Sequence, residues 1–227
     1  MLEYVDPMDS RLLLPEPPRV AYFVGLDLGQ SADFTAVSVL RSTFTESAKP
    51  RHEVVHLERF ALGTSYSAIA AAVVGLVGGP EIDGEWRLGV DATGVGRPVV
   101  DLLKDGLGDQ RTRLTPVTIT GGGEPSWGKV GLSVPKRDLV TNLLVLLEGG
   151  RLALAPGIPE LEAFIREAAG FQVKLSAAGH DIYGQWREGE HDDLVLSVAL
   201  AAWVAERRGP RRQVKVSSWI QPSPFLR

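Results

Sequence analysis

The run Val20–Leu28 (VAYFVGLDL) constrains this chain most: it is almost continuously apolar yet carries one acid, Asp27, near its end. A short run without alternating polar positions fits a strand covered on both faces of a sheet. A carboxylate inside such a strand is costly unless something positive neutralises it. A second segment repeats the arrangement. Trp86–Asp91 (WRLGVD) is a short buried strand that also ends on an acid, followed by the small-residue loop Ala92-Thr93-Gly94-Val95-Gly96.

The remaining elements follow from periodicity and breakers. Residues 1–19, with Pro7 and the stretch PEPP, show no sustained period and are expected to form a leader or linker. Thr35–Arg41 and Glu53–Leu62 are β-rich and follow the first strand without an intervening helix, which predicts an antiparallel meander. Ser65–Val77 is an Ala-rich helix closed by Gly78-Gly79-Pro80, and Gly96–Leu107 a helix with Pro98 in its first turn. Leu114–Thr120 reads as a strand and Pro135–Leu147 as a helix. Arg151–Ala155 and Phe171–Ser176 read as strands on either side of a helix at Pro159–Ala169. Asp192–Arg208 is a strong helix, acidic at its start and basic at its end, a polarity that complements the helix dipole. Three strands leading into β-α-β units predict one mixed α/β sheet flanked by helices. That order matches a ribonuclease H-like fold better than a Rossmann domain, which alternates from its first strand.

Composition narrows the chemistry. The 227 residues include no cysteine, which excludes disulfide scaffolds, thiol catalysis and Cys-type zinc sites. No apolar run approaches the ~18 residues of a membrane span, and the start lacks a signal-peptide pattern, so a cytoplasmic protein is expected. The net charge of −4 is mild, but Arg207, Arg208, Arg211, Arg212, Lys215 and Arg227 form a basic C-terminal stretch without an acid. Such a stretch, running from the end of the last helix into a tail at 209–227, suits either phosphate binding or plain solvation.

Candidate site residues are Asp27, Asp91 and the pair Asp192–Asp193. In open α/β sheets, ligand sites gather beyond the carboxyl ends of the strands. If the first and fourth strands are neighbours, Asp27 and Asp91 share a pocket that the start of the closing helix completes. Oxygen-only donors suit Mg²⁺ or Mn²⁺, and two such ions ~3.5–4 Å apart can activate water and stabilise the leaving oxygen of a phosphodiester. Each acid also has a structural alternative: Asp27 as a turn residue, Asp91 as an Asx turn, Asp192 as a helix N-cap. Asp33 is expected to form a turn. His191 is expected to orient a neighbour rather than ligate. Lys129, Lys136 and Arg137 surround a Gly-rich loop and are expected either to meet phosphates or to face solvent.

Three segments, GLDLGQSADFTAVSVL, LGVDATGVGRPVVDLL and EGEHDDLVLSVALAAW, together resemble the C-terminal nuclease domain of the large terminase subunit of tailed phages. The His-Asp-Asp-Leu motif is the most specific part, and the resemblance spans roughly residues 20–208. It implies a metal-dependent endonuclease that cuts concatemeric viral DNA during head packaging in the cytoplasm of the host cell. Metal-binding carboxylates would then stand at Asp27, Asp91 and Asp193, with Asp192 as the alternative on the last helix. The resemblance further implies a hairpin region at Phe171–Trp186 that brings Lys174 or His180 near DNA. The partners it implies are double-stranded DNA, an ATPase motor, a portal and a small terminase subunit. The chain itself carries no Gly-x-x-x-x-Gly-Lys-Ser/Thr phosphate loop. Three other functions share parts of the pattern: an actin-like or sugar-kinase-type ATPase fragment, a Holliday-junction-resolvase-like nuclease, and a non-catalytic DNA-binding packaging module.

Overall fold

The computed structural model describes residues 17–29, 33–94, 96–128, 131–170, 173–175, 181–183 and 192–207. The proposed leader up to residue 16, the tail at 209–227, and Lys129, His180 and His191 lie outside the described residues. Among the described residues, no helix is long and apolar enough to cross a membrane.

The first three strands, β1 (Arg19–Asp27), β2 (Ala36–Phe44) and β3 (Arg51–Arg59), form the expected antiparallel meander. Then come α1 (Tyr66–Val77), β4 (Glu85–Asp91), α2 (Gly96–Leu107), a 3-10 turn at Gly108–Arg113 and β5 (Leu114–Thr120). After these lie β6 (Ser126–Trp127), β7 (Leu132–Pro135), α3 (Lys136–Glu148), β8 (Leu152–Leu154) and α4 (Leu161–Gly170). Val173–Leu175 (β9) and Asp181–Tyr183 (β10) pair as a separate antiparallel ribbon, and α5 (Asp193–Arg207) follows. The main sheet has the order β6-β7-β5-β4-β1-β2-β3-β8. The strand β1 is its centre, antiparallel to β2 on one side and parallel to β4 on the other.

Two apolar layers sandwich the sheet, and the alternation of side chains along β1 serves both. Val24 and Leu26 join Val73, Val99 and Leu103 of α1 and α2. Ala21 and Phe23 join Leu143 of α3, Phe164 of α4 and most of α5 on the opposite face. Every residue of α5 from Asp193 to Ala205 is buried. A helix apolar all round belongs inside a protein, and here it lies across β1, β2 and β4.

Two glycines let it lie that close. A Cβ on Gly25 would stand 1.9 Å from the Ser197 carbonyl oxygen, and one on Gly89 would stand 2.9 Å from Val204 Cγ2. Both glycines therefore face α5. The next residues on that face, two positions along each strand, are Asp27 and Asp91.

Candidate metal centre

The register of the parallel pair β1–β4 ends at Leu26 and Val90, so Asp27 and Asp91 follow side by side at the strands' carboxyl ends, on neighbouring backbones about 4.8 Å apart. Because α5 runs back along β1 from this end, it starts above the two acids with Asp192 and Asp193. The condition set by the sequence, that the first and fourth strands be neighbours, is met.

Electrostatics tie the four acids into one environment. Burial pushes the Asp27 carboxyl well above the usual carboxylate range, and the charges of Asp91, Asp192 and Asp193 push it further; Lys136 opposes them. Asp91 is also raised, chiefly by burial, although Thr93 lowers it through two hydrogen bonds. In those bonds the Thr93 backbone N–H (2.8 Å) and its hydroxyl donate to Asp91 Oδ1. The threonine oxygen in turn accepts from Ile119 N–H at 2.9 Å, fixing the loop to β5. Asp91 thus makes the Asx-type turn that was its structural alternative, at the same sheet end as Asp27.

The acids of α5 are held by cations. Lys136, the first residue of α3, places Nζ 2.6 Å from Asp192 Oδ2. Its ammonium is thus ion-paired with the start of α5 rather than simply solvated. The Asp193 carboxylate, 4% exposed as a residue, has Oδ2 3.5 Å from Arg59 Nε. As the side chains stand, no group of three or more acidic or imidazole donors among the described residues is close enough together to hold one ion. The donor chemistry nevertheless fits a hard divalent cation: oxygens only, crowded negative charge, and a buried carboxylate that its neighbours destabilise.

Two residues of this neighbourhood escaped the sequence reading. Arg59, at the end of β3, reaches Asp193, the Glu167 carboxylate and Glu160 (3.8 Å), and stacks over the Phe34 ring at 5.4 Å from its centroid. Glu167 of α4 turns its other oxygen to the start of α5, where it accepts the backbone N–H groups of Leu194 (3.1 Å) and Val195 (3.3 Å). The Asp192 backbone carbonyl accepts Leu196 N–H, so this residue occupies the N-cap position. Glu167, from another helix, caps the open amides that the Asp192 side chain was expected to serve.

Arg137 pairs with Asp138 and donates to the Gly123 carbonyl. Asp33 sits exposed in the β1–β2 connection, as expected of a turn residue. Lys174 lies on β9, whose side chains are outside the described residues.

The terminase RNaseH-like domain model matches residues 24–202, which include all four acids and most of the sheet. The chain belongs to the terminase RNaseH-like family. This terminase domain superposes on the human cytomegalovirus terminase nuclease domain with a TM-score of 0.54 at 13% identity, over 83% of this chain and 85% of that one. For the Mn-soaked, inhibitor-bound form of that viral domain the values are 0.52 and 14%, over 82% of both chains. The nuclease domain of the g2p large terminase of bacteriophage SPP1, with bound Mn, gives 0.48 at 16% identity, over 82% and 86%. A comparison with curated proteins gives no match. The ribonuclease H-like architecture expected from the element order is therefore the fold of this domain.

Proposed function

We propose that this terminase domain is a metal-dependent DNA endonuclease that cuts concatemeric viral DNA during genome packaging. Family membership supports nuclease chemistry over the actin-like ATPase alternative. The observation that carries the metal reading is the electrostatic coupling of buried Asp27 to Asp91, Asp192 and Asp193 at one end of the sheet. Asp27, Asp91 and Asp193 would hold Mg²⁺ or Mn²⁺, two ions in all, with Asp192 beside them. The cytomegalovirus nuclease domain, of the same fold, has been solved after soaking with Mn. Bound ions of this kind supply a water acidic enough to attack at neutral pH and stabilise the leaving oxygen of the phosphodiester.

The chain's own residues provide the setting for that chemistry. Asp27 and Asp91 come from two rigid neighbouring strands, so their spacing is fixed by the sheet. The α5 acids arrive from a buried helix, and Thr93 orients Asp91 through the two hydrogen bonds to Oδ1. Lys136 and Arg59 balance the charge of the α5 pair. No histidine base or protein nucleophile is required. The substrate is double-stranded DNA in the host cytoplasm, and the ATPase motor, portal and small terminase subunit are the proposed partners.

Plasmid DNA incubated with the protein is expected to be nicked or linearised with Mg²⁺ or Mn²⁺ and to stay intact in EDTA. Full activity of Asp91→Ala would reject the assignment. Salt-sensitive DNA binding with no cutting under any divalent metal would leave a packaging module without catalysis.

A further inference from the structure

The brace formed by Arg59 and Glu167 stands directly behind Asp193 and joins three elements that the sequence keeps far apart: the end of β3, the last turns of α4 and the first turn of α5. Glu167 is 8% exposed, and its two oxygens face different partners. One oxygen accepts two amides of the α5 start, and the other meets the Arg59 guanidinium. Arg59 in turn lies against Asp193 and over Phe34. A buried glutamate beside a half-buried arginine costs several kcal/mol of desolvation in the absence of mutual pairing. Core packing alone does not need a charged pair at this spot, since apolar residues of similar volume often serve as well or better. What this pair adds is direction: it fixes the pitch of the first turn of α5 and the side-chain position of the acid that turn carries.

We propose that Arg59 and Glu167 are positioning residues that aim Asp193 at the metal centre. The proposal rests on the metal reading above. The brace reaches the Asp193 carboxylate through Arg59 Nε and the first turn of α5 through the doubly accepting carboxylate of Glu167. Residues that orient a metal-binding side chain typically change metal affinity by 10–100-fold when replaced. A competing role is equally concrete: Arg59 could hold Asp193 away from the ion, and its removal would then tighten metal binding.

Titration of Mn²⁺ into the full chain by calorimetry separates these outcomes, with the folded state of each variant checked by circular dichroism and thermal melting. Glu167→Gln, which keeps an acceptor for the amides but loses the charge facing Arg59, is expected to bind Mn²⁺ about tenfold more weakly. Arg59→Gln is expected to match it. Arg59→Lys, which keeps the charge but loses the fork, should fall between Arg59→Gln and wild type, and it carries the test if either glutamine variant fails to fold. DNA cleavage by the brace variants should recover at high Mn²⁺, whereas Asp27→Asn should stay inactive. Brace variants that bind Mn²⁺ like wild type while Asp27→Asn loses binding would overturn the brace and leave the metal centre standing. Tighter binding by Arg59→Gln would also overturn it. Wild-type protein that binds no Mn²⁺, or Asp27→Asn binding as wild type does, would remove the metal centre and the brace together.

Discussion

The two ends of α5 both bury charge, and they do so with opposite consequences. At its start, Asp192 and Asp193 join Asp27 and Asp91, and the acids outweigh Lys136 and Arg59; Asp27 and Asp91 are pushed toward their neutral forms. At its end, Glu206 accepts both Arg151 Nη1 and Nη2 at 2.9 Å and meets His52 Nε2 at 2.9 Å, while His52 Nδ1 meets Ser42 Oγ at 2.7 Å. There Glu206 is held below its usual range despite its burial, chiefly by Arg151, and Arg151 is raised by Glu206. The second network is paired and neutral in sum, as a structural clasp should be. The first is left with surplus negative charge, which the proposed divalent cation would neutralise. Although Ser42, His52 and Glu206 reproduce the residue types of a hydrolytic triad, Ser42 and His52 are sealed from solvent at 0% and 2% exposure. No substrate reaches them.

The comparison can be broken most sharply at the start of the helix. Asp91→Ala is expected to reduce Mn²⁺-dependent plasmid cleavage by roughly 10²–10³-fold, since metal ions contribute several kcal/mol to such reactions. Glu206→Gln at the far end should leave Mn²⁺ binding unchanged. Gly25→Ala comes next. The added methyl would strike the Ser197 carbonyl, which belongs to backbone and cannot swing aside. A loss of about 3 kcal/mol or more in urea unfolding is expected, with a smaller loss for Gly89→Ala, where only the tip of Val204 is in the way. Glu206→Gln should itself cost about 2 kcal/mol of stability, the range for a hydrogen bond to a charged group. Asp27→Asn is expected to do the reverse and raise the melting temperature of the metal-free protein by a few degrees, while abolishing cleavage.

The pH dependence sharpens the contrast, because the two ends titrate in opposite senses. Raised carboxyls such as Asp27 and Asp91 bind more protons in the folded chain, so their contribution is full at low pH and is lost as pH rises above the ordinary carboxylate range. Lowered groups behave the other way. Burial depresses His52, so the unfolded chain binds the extra proton and this contribution is lost as pH falls below about 6.5. The low-lying carboxyl of Glu206 loses its contribution only at more acidic pH. As pH rises above the ordinary carboxylate range, the gap in melting temperature between Asp27→Asn and wild type, both metal-free, should widen. Saturating Mn²⁺ should stabilise the wild type and narrow that gap.

The parts of this design that sequence reveals are those with local causes. The apolar run around Asp27, the short strand ending at Asp91 and the dipole-matched final helix are each self-contained patterns. They placed the meander and the β-α-β units, and they put Asp27 and Asp91 at the carboxyl ends of neighbouring strands. The strands β6 and β7 were not foreseen, since two and four residues, the latter ending in Pro135, are too few to display a period. Arg59 and Glu167 were missed for a different reason. On its own, Arg59 is one charge at a strand end and Glu167 one charge on an amphipathic helix, and only tertiary contact distinguishes them from solvated residues. Lys136 shows the same limit: its charge is plain in the sequence, but its partner Asp192 lies 56 positions away.

The burial of α5 on every side has an outcome for the order in which the molecule is made. Its strip of Leu, Val and Ala has no stable existence outside the groove over β1, and it follows every strand of the large sheet along the chain. A nascent polypeptide can lay down the sheet early, yet it brings Asp192 and Asp193 into place only with this final insertion. The proposed site is therefore complete only once this helix is seated, and a chain stopped short of α5 would lack two of its four acids.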